Sequence, residues 1–400
     1  MKKIVRIGDL ERKYVDEVLE GQFSSENSYR MVTKLERDFA KKFNVKHAIA
    51  MVNGTVTLHI ALEAAGVGIG DEVICPPLTM SSTSLAVLHA NAIPVFADIE
   101  KDTFLISSKS IEEKITAKTK AIITVSLFGL CPDMEAIMRI ARKYNLLVIE
   151  DNAQCFLGKY NERVAGSIGD MASFSFQSSK HMTCGEGGML ITNDDELALK
   201  IRRYSGLGYA GINSSKGRIT KDDIQDPDYE RHVILGWNYR MSDLCGAVAL
   251  AQLERLDDLV EMRRTAAGYF LKVISGCSWL KEQYIPENCK SAYWAVAVLL
   301  DTDKINWSEF RKKYMELGGD GIYAAWKLSY LEPAYRRHQF LGREMLIDKY
   351  GDYEFKEGLC PVAEFVQPRL LQFKTNYWDE SEAFRQANIL AKTIEYFEGL

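Results

Sequence analysis

Lys180 ends the run Phe174-Ser175-Phe176-Gln177-Ser178-Ser179-Lys180, just ahead of the glycine-rich turn Gly185-Glu186-Gly187-Gly188. About thirty residues upstream, an apolar run from Leu146 to Ile149 ends in Glu150-Asp151-Asn152-Ala153-Gln154. A lysine amine condenses with an aldehyde to give a Schiff base. An acid can keep a pyridine nitrogen protonated, so that the ring accepts electrons. An acid at the end of one strand and a lysine after a later one is the layout of a pyridoxal 5'-phosphate (PLP) site. Taken singly, either residue reads as a solvated lysine or a loop acid; order, spacing and flanking sequence together point to the site.

A second signal lies at Gly54-Thr55, after the run Ala48-Ile49-Ala50-Met51-Val52. These residues open a helix expected over 56–65. Free backbone N–H groups at a helix start hold a phosphate, and a threonine hydroxyl adds a donor. Alone, such a start is a weak anion signal. The segment Gly66-Val67-Gly68-Ile69-Gly70 lacks dinucleotide-site spacing and precedes a strand, so it reads as a turn.

The elements that must position these groups alternate. Strands are predicted over 72–75, 93–96, 120–127, 146–150, 172–176 and 189–192, with a helix over 133–144. Alternation implies an α/β fold with a mostly parallel sheet covered by helices on both faces, and ligands on such sheets sit at the carboxyl ends of the strands. A long helix is predicted from Ser242, its N-cap, to about Ala266, leading from a large domain (1–255, with an N-terminal helical segment) into a smaller α+β C-terminal one (256–400). Within the latter, 292–300 reads as a strand, and the last helix starts near Asp379-Glu380-Ser381. The polar stretch 206–232 is too long for an ordinary connector and reads as a functional loop, a disordered segment or both.

Of the 400 residues, 47% are apolar and 26% charged, ordinary for a globular chain, and the net charge of −5 argues against a nucleic-acid partner. The start turns polar at once, without a signal-peptide core, and no run approaches the length of a membrane span. A cytoplasmic protein, not bound to membrane, is expected. The eight cysteines form no C-x-x-C pair. They are expected to be reduced core residues with no metal site.

The stretches 148–154, Gly169-Asp170 through Gly188, and Gly236-Trp237-Asn238-Tyr239-Arg240-Met241 resemble the DegT/DnrJ/EryC1/StrS aminotransferases, the sugar aminotransferases of PLP fold type I. The resemblance runs from about Arg30 to the C-terminus. It implies a PLP-dependent transaminase that moves an amino group from an amino acid, with L-glutamate the expected donor, to a keto-sugar in amino-sugar, surface-polysaccharide or lipopolysaccharide biosynthesis. It implies that Lys180 carries the cofactor, that Asp151 pairs with the ring nitrogen, and that Gln154 reaches the ring hydroxyl. Gly54, Thr55, Val56 and Ser175 would cradle the phosphate. Asn238 would reach it from the neighbouring subunit, making a homodimer with shared sites.

Some positions depart from the family pattern. Met80 follows Thr79 where a ring-stacking aromatic is usual, and Ser126 stands where a histidine is usual. His181, Arg240, Tyr323, Trp326 and Lys327 are candidate substrate residues. Arg240, Lys327, Arg336, Arg337 and Arg369 are basic groups that could grip an acidic sugar. The acceptor is therefore either a nucleotide-linked keto-sugar or a keto-sugar acid such as an oxidised 3-deoxy-octulosonate. Two other readings are a PLP-dependent sugar dehydratase, in which some relatives carry histidine at the lysine position, and a non-catalytic regulator that keeps the fold. Lys180 weighs against the first, and the set Asp151, Gln154, Ser175 and Lys180 against the second.

Overall fold

The structure, a computed structural model, describes residues 4–23, 30–214, 219, 225–340 and 353–399. Its centre is a seven-stranded sheet of β1 (His47–Met51), β2 (Glu72–Cys75), β3 (Ile93–Phe96), β4 (Thr119–Val125), β5 (Leu147–Asp151), β8 (Met171–Ser175) and β9 (Gly188–Thr192). Between β5 and β8 the chain makes a small hairpin, β6 (Lys159–Tyr160) and β7 (Arg163–Val164). The strand order is β1-β9-β8-β5-β4-β2-β3. Only β9 runs against the others, pairing antiparallel with both β1 and β8.

Covered on both faces, these strands are apolar on both faces. Side-chain alternation sends Ile49, Met51, Val73 and Cys75 into one core, and Ala48, Ala50 and Ile74 into the other. The helices Gly54–Ala64 and Ser82–His89 supply the first core. Arg30–Phe43, Met134–Tyr144 and Asp243–Glu254 supply the second.

A second, smaller sheet joins β10 (Leu280–Glu282), β12 (Ala295–Leu300), β13 (Tyr323–Ala324) and β14 (Leu370–Lys374), in the antiparallel order β10-β12-β14-β13. The short β11 (Cys289–Lys290) instead pairs with β6. The helices Leu256–Ile274 and Glu380–Glu398 close this layer over a core that includes Phe270, Phe310, Tyr314 and Leu390. Among the described residues no helix is long and apolar enough to cross a membrane.

Three expectations change. The helix expected over 242–266 is two helices, Asp243–Glu254 and Leu256–Ile274, broken at Arg255. Ser242 does cap the first, accepting from the Cys245 N–H, and the Arg255 side chain is drawn aside to Glu11 and the Val5 carbonyl. The strand expected over 292–300 begins only at Ala295. Tyr293 has a left-handed φ of 47°, and the N–H groups of Ala292 and Trp294 donate to the carbonyls of Gly129 and Phe128. That contact requires Gly129, because a Cβ there would stand 2.4 Å from the Tyr293 nitrogen. The strand expected over 120–127 stops at Val125, since Leu127–Gly129 turns as a 3₁₀ segment with Phe128 at φ 61°.

Of the stretch 206–232, residues 215–218 and 220–224 lie outside the described residues. Its two described ends are stitched together and to the chain beyond by the bridges Tyr209 to His232 and Gly206 to Asn238.

Candidate active site

The carboxyl ends of β4, β5 and β8 and the start of the helix Gly54–Ala64 meet at a cleft of about 970 Å³, closed on its other side by the smaller sheet. Asp151 and Glu150 are adjacent, but strand alternation sends them to opposite faces. Glu150 accepts backbone N–H groups from Gly166, Ile168 and Gly169, fixing the loop before β8. Asp151 lines the cleft instead, its carboxylate accepting from the Thr83 hydroxyl at 2.9 Å and the Ala153 N–H at 3.1 Å. Burial raises its pKa; those two hydrogen bonds and the charge of Lys180 pull the other way.

Lys180 enters the same cleft from the loop after β8, with Nζ 5.2 Å from the centre of the Trp294 ring. Loss of water around the amine pulls its pKa down to about 8, with Asp151 and Glu186 opposing and Arg263 assisting. A lysine in that range holds a far larger share of neutral, nucleophilic amine near neutral pH than an ordinary lysine does.

At the opposite wall the helix begins at Gly54, two residues earlier than the sequence suggests, because Asn53 caps it. Its Oδ1 takes the Val56 N–H at 3.0 Å, and its carbonyl takes the Thr57 N–H. Gly54 and Thr55 remain as first-turn donors outside the helical pattern. A Cβ on Gly54 would lie 2.8 Å from the Ser175 Cβ, so helix start and strand end touch. Thr55 Oγ1 donates to Ser82 Oγ at 2.9 Å.

These features fit PLP. A cradle of backbone donors and hydroxyls suits its phosphate, a buried carboxylate suits its ring nitrogen, and an amine of lowered pKa suits its aldehyde. Gln154 also lines the cleft, fixed by accepting the Phe128 N–H at 2.9 Å, and Met80 lines it while nearly half exposed.

The structure brings Gly54, Thr55, Met80, Asp151, Gln154, Ser175, Lys180, Tyr323 and Trp326 together on the cleft wall. It leaves others off it. His181 is buried against Phe156 and bonds the Ala292 carbonyl at 2.9 Å, so it faces away from the candidate substrate position. Val56 is the third residue of the helix, and its N–H is already given to Asn53 Oδ1. Lys327, Arg336 and Arg337 are exposed outside the wall, and Arg369 pairs with Asp303 at 3.2 Å. Arg240 Nε donates to Asn238 Oδ1 at 2.9 Å, and both residues stand exposed outside the cleft of their own chain.

Among the described residues, the basic groups besides Lys180 that reach the cleft are Arg263 and Lys374, neither of them expected from the sequence. Lys374 is the last residue of β14 and pairs with Asp320. Arg263 sits among charged neighbours on a helix, where only its burial distinguishes it. No sequence motif marked either residue.

The sequence model of the DegT/DnrJ/EryC1/StrS aminotransferase family matches residues 5–345. It thus reaches further toward the N-terminus than the resemblance from Arg30, and stops short of the C-terminus. The chain is 38% identical over 293 residues to the GDP-perosamine synthase of Escherichia coli O157:H7, covering 73% of this chain and 75% of that protein. Among solved structures, an aminotransferase from Psychrobacter cryohalolentis superposes with a TM-score of 0.85 at 28% identity, covering 99% of both chains. The E. coli GDP-4-keto-6-deoxy-D-mannose-3-dehydratase with bound hydrated PLP gives a TM-score of 0.81 at 23% identity, covering 98% of this chain and 100% of that one. That likeness shows a common fold.

Proposed function

Because the chain belongs to the DegT/DnrJ/EryC1/StrS aminotransferase family, we propose that this cleft moves an amino group from L-glutamate to a nucleotide-linked keto-sugar. The enzyme is a PLP-dependent aminotransferase of fold type I acting on a keto-sugar. One observation carries the reading: Lys180 and Asp151 share one cleft with the helix start at Gly54. The similarity to a GDP-perosamine synthase favours a nucleotide-linked acceptor over a keto-sugar acid. The amino sugar made would serve surface-polysaccharide synthesis.

When bound, PLP supplies an aldehyde carbon to carry the amino group and a ring that takes up the electron pair released at the donor's α-carbon. Lys180 holds the cofactor through Nζ and, once displaced, moves the proton from that α-carbon. Asp151, its carboxylate aimed by the two hydrogen bonds it accepts from Thr83 and Ala153, would keep a proton on the ring nitrogen. Gln154 bonds the ring hydroxyl, and Met80 covers a ring face. Gly54, Thr55 and Ser175 bind the phosphate; Val56, expected to join them, has its N–H taken by Asn53 Oδ1 and only extends the helix behind them. Asn238 completes that cradle from a second copy of the chain, which makes the working unit a cytoplasmic homodimer. Tyr323, Trp326 and Lys374 form the acceptor side, contributed by the smaller sheet and the segment after β13. The two domains proposed are 1–255 and 256–400, a division that the helix break at Arg255 supports.

A lysine at position 180 favours transamination over dehydration, since anchor and proton carrier are both present. The test is a half-reaction. Purified enzyme given L-glutamate alone should release one 2-oxoglutarate per cofactor, and then aminate a nucleotide-linked keto-hexose, with the amine product identified by mass. No 2-oxoglutarate under these conditions would remove the assignment as a glutamate transaminase. Amination of an octulosonate-type acid in preference would overturn the acceptor class.

A further inference from the structure

Arg263 is almost fully buried, 2% exposed, on the helix Leu256–Ile274. Its guanidinium makes no ion pair among the described residues. It donates instead to four neutral oxygens: the Trp294 carbonyl at 2.9 Å, Thr375 Oγ1 at 3.3 Å, the Ser179 carbonyl at 2.8 Å and the Lys180 carbonyl at 3.0 Å. Its Nε is buried with no partner. A buried charge held only by neutral acceptors is unfavourable for folding, so its presence on the cleft wall points to a role in the site.

The Trp294 indole N–H also donates to the Ser179 carbonyl, at 3.0 Å, and Arg6 donates to the Ser178 carbonyl. Three consecutive carbonyls leading to Lys180 are therefore fixed by side chains. Trp294 and Thr375 flank the smaller sheet, so Arg263 joins that layer to the lysine loop.

We propose that Arg263 is a positioning residue for Lys180, locking the loop backbone through two carbonyls and tying it to the smaller sheet through Trp294 and Thr375. This rests on the reading of Lys180 as the residue that carries the cofactor. A planar guanidinium can span acceptors on both sides, which a lysine ammonium cannot. Its charge has a second consequence. The groups facing Lys180 are Asp151 and Glu186, which favour a proton on Nζ, the Trp294 ring, which also favours a cation, and Arg263, which disfavours it. Removing Arg263 therefore raises the affinity of Nζ for a proton.

The experiment uses the full-length holoenzyme and follows its visible absorbance against pH, a titration that reports the proton at Lys180 Nζ. Arg263→Met should move the midpoint up by about one pH unit and lower kcat about a hundredfold, with thermal melting as the check on folding. Arg263→Lys keeps the charge and should keep the wild-type midpoint, while kcat falls about tenfold. A wild-type midpoint with kcat within about twofold in Arg263→Met overturns the proposal. Should that variant not fold, Arg263→Lys decides, and kcat within about twofold of wild type overturns it. Borohydride treatment of the wild-type holoenzyme separates the two readings. A cofactor adduct on another lysine sinks the Lys180 assignment itself, whatever Arg263 does.

Discussion

Gly54 and Ser175 meet so closely that a single added methyl on the glycine would lie 2.8 Å from the serine Cβ. The first residue of the helix Gly54–Ala64 and the last of β8 are thereby fixed against each other, and the phosphate cradle is built on that contact. Gly54→Ala should push the two apart. Overpacking of this kind costs about 1–3 kcal/mol, so the melting temperature should fall. If that cost falls on the phosphate cradle, cofactor affinity should drop by about 5- to 150-fold, since 1.4 kcal/mol is tenfold. Dialysis of holoenzyme followed by absorbance checks this; unchanged retention would mean the phosphate binds elsewhere.

Borohydride should attach the cofactor irreversibly to Lys180. Lys180→Ala should still bind cofactor without that linkage, and turnover should fall by about 10³-fold or more, the scale of losing a positioned proton carrier. Peptide mapping by mass spectrometry is the measurement.

Asp151→Asn should leave the fold intact and the ring nitrogen without its charged partner. Turnover should drop about 10³-fold, which is ~4 kcal/mol. A variant within tenfold of wild type would show that another group protonates the ring.

The lowered pKa of Lys180 sets a pH dependence. Its free amine reacts with the cofactor aldehyde, so reconstitution of cofactor-free enzyme should speed up as pH rises through about 8 and level off above. The sign for stability runs the same way. The folded-state pKa lies below the ordinary value of 10.5, so between about pH 8 and 10.5 the unfolded chain keeps a proton that the folded one has released, and stability rises with pH across that window. The resulting destabilisation is full below pH 8 and fades toward pH 10.5. Lys180→Met should remove it, flattening that part of a denaturant midpoint-versus-pH curve for cofactor-free protein.

Asn238 stands outside its own chain's cleft. If it serves a second copy, Asn238→Ala should weaken cofactor binding by roughly 10- to 150-fold, the value of a charge-assisted hydrogen bond of about 1.5–3 kcal/mol. Mixed dimers of Asn238→Ala with Lys180→Ala subunits then contain one site with both lesions and one with neither, so activity should reappear. Verified mixed dimers that stay inactive would place Asn238 in its own subunit's chemistry.

Six of the seven strands of the central sheet are legible in the amino-acid sequence because both faces are covered, leaving short apolar runs such as Val73–Cys75 and Ile93–Phe96, whereas β1 reads only as an apolar run ahead of Gly54. Asp151 and Lys180 were legible too, since each follows such a run and the chemistry demands those residue types. Periodicity carries no information about contacts between distant segments, and there the tertiary structure decided. It turned His181 to the Ala292 carbonyl, sent Arg369 to Asp303, and broke the helix at Arg255. It also brought Arg263 and Lys374 to the cleft from regions far along the chain. A charged residue on an amphipathic helix looks alike in sequence whether water or a buried carbonyl receives its hydrogen bonds, and only the packing of the smaller sheet against the lysine loop distinguishes the two.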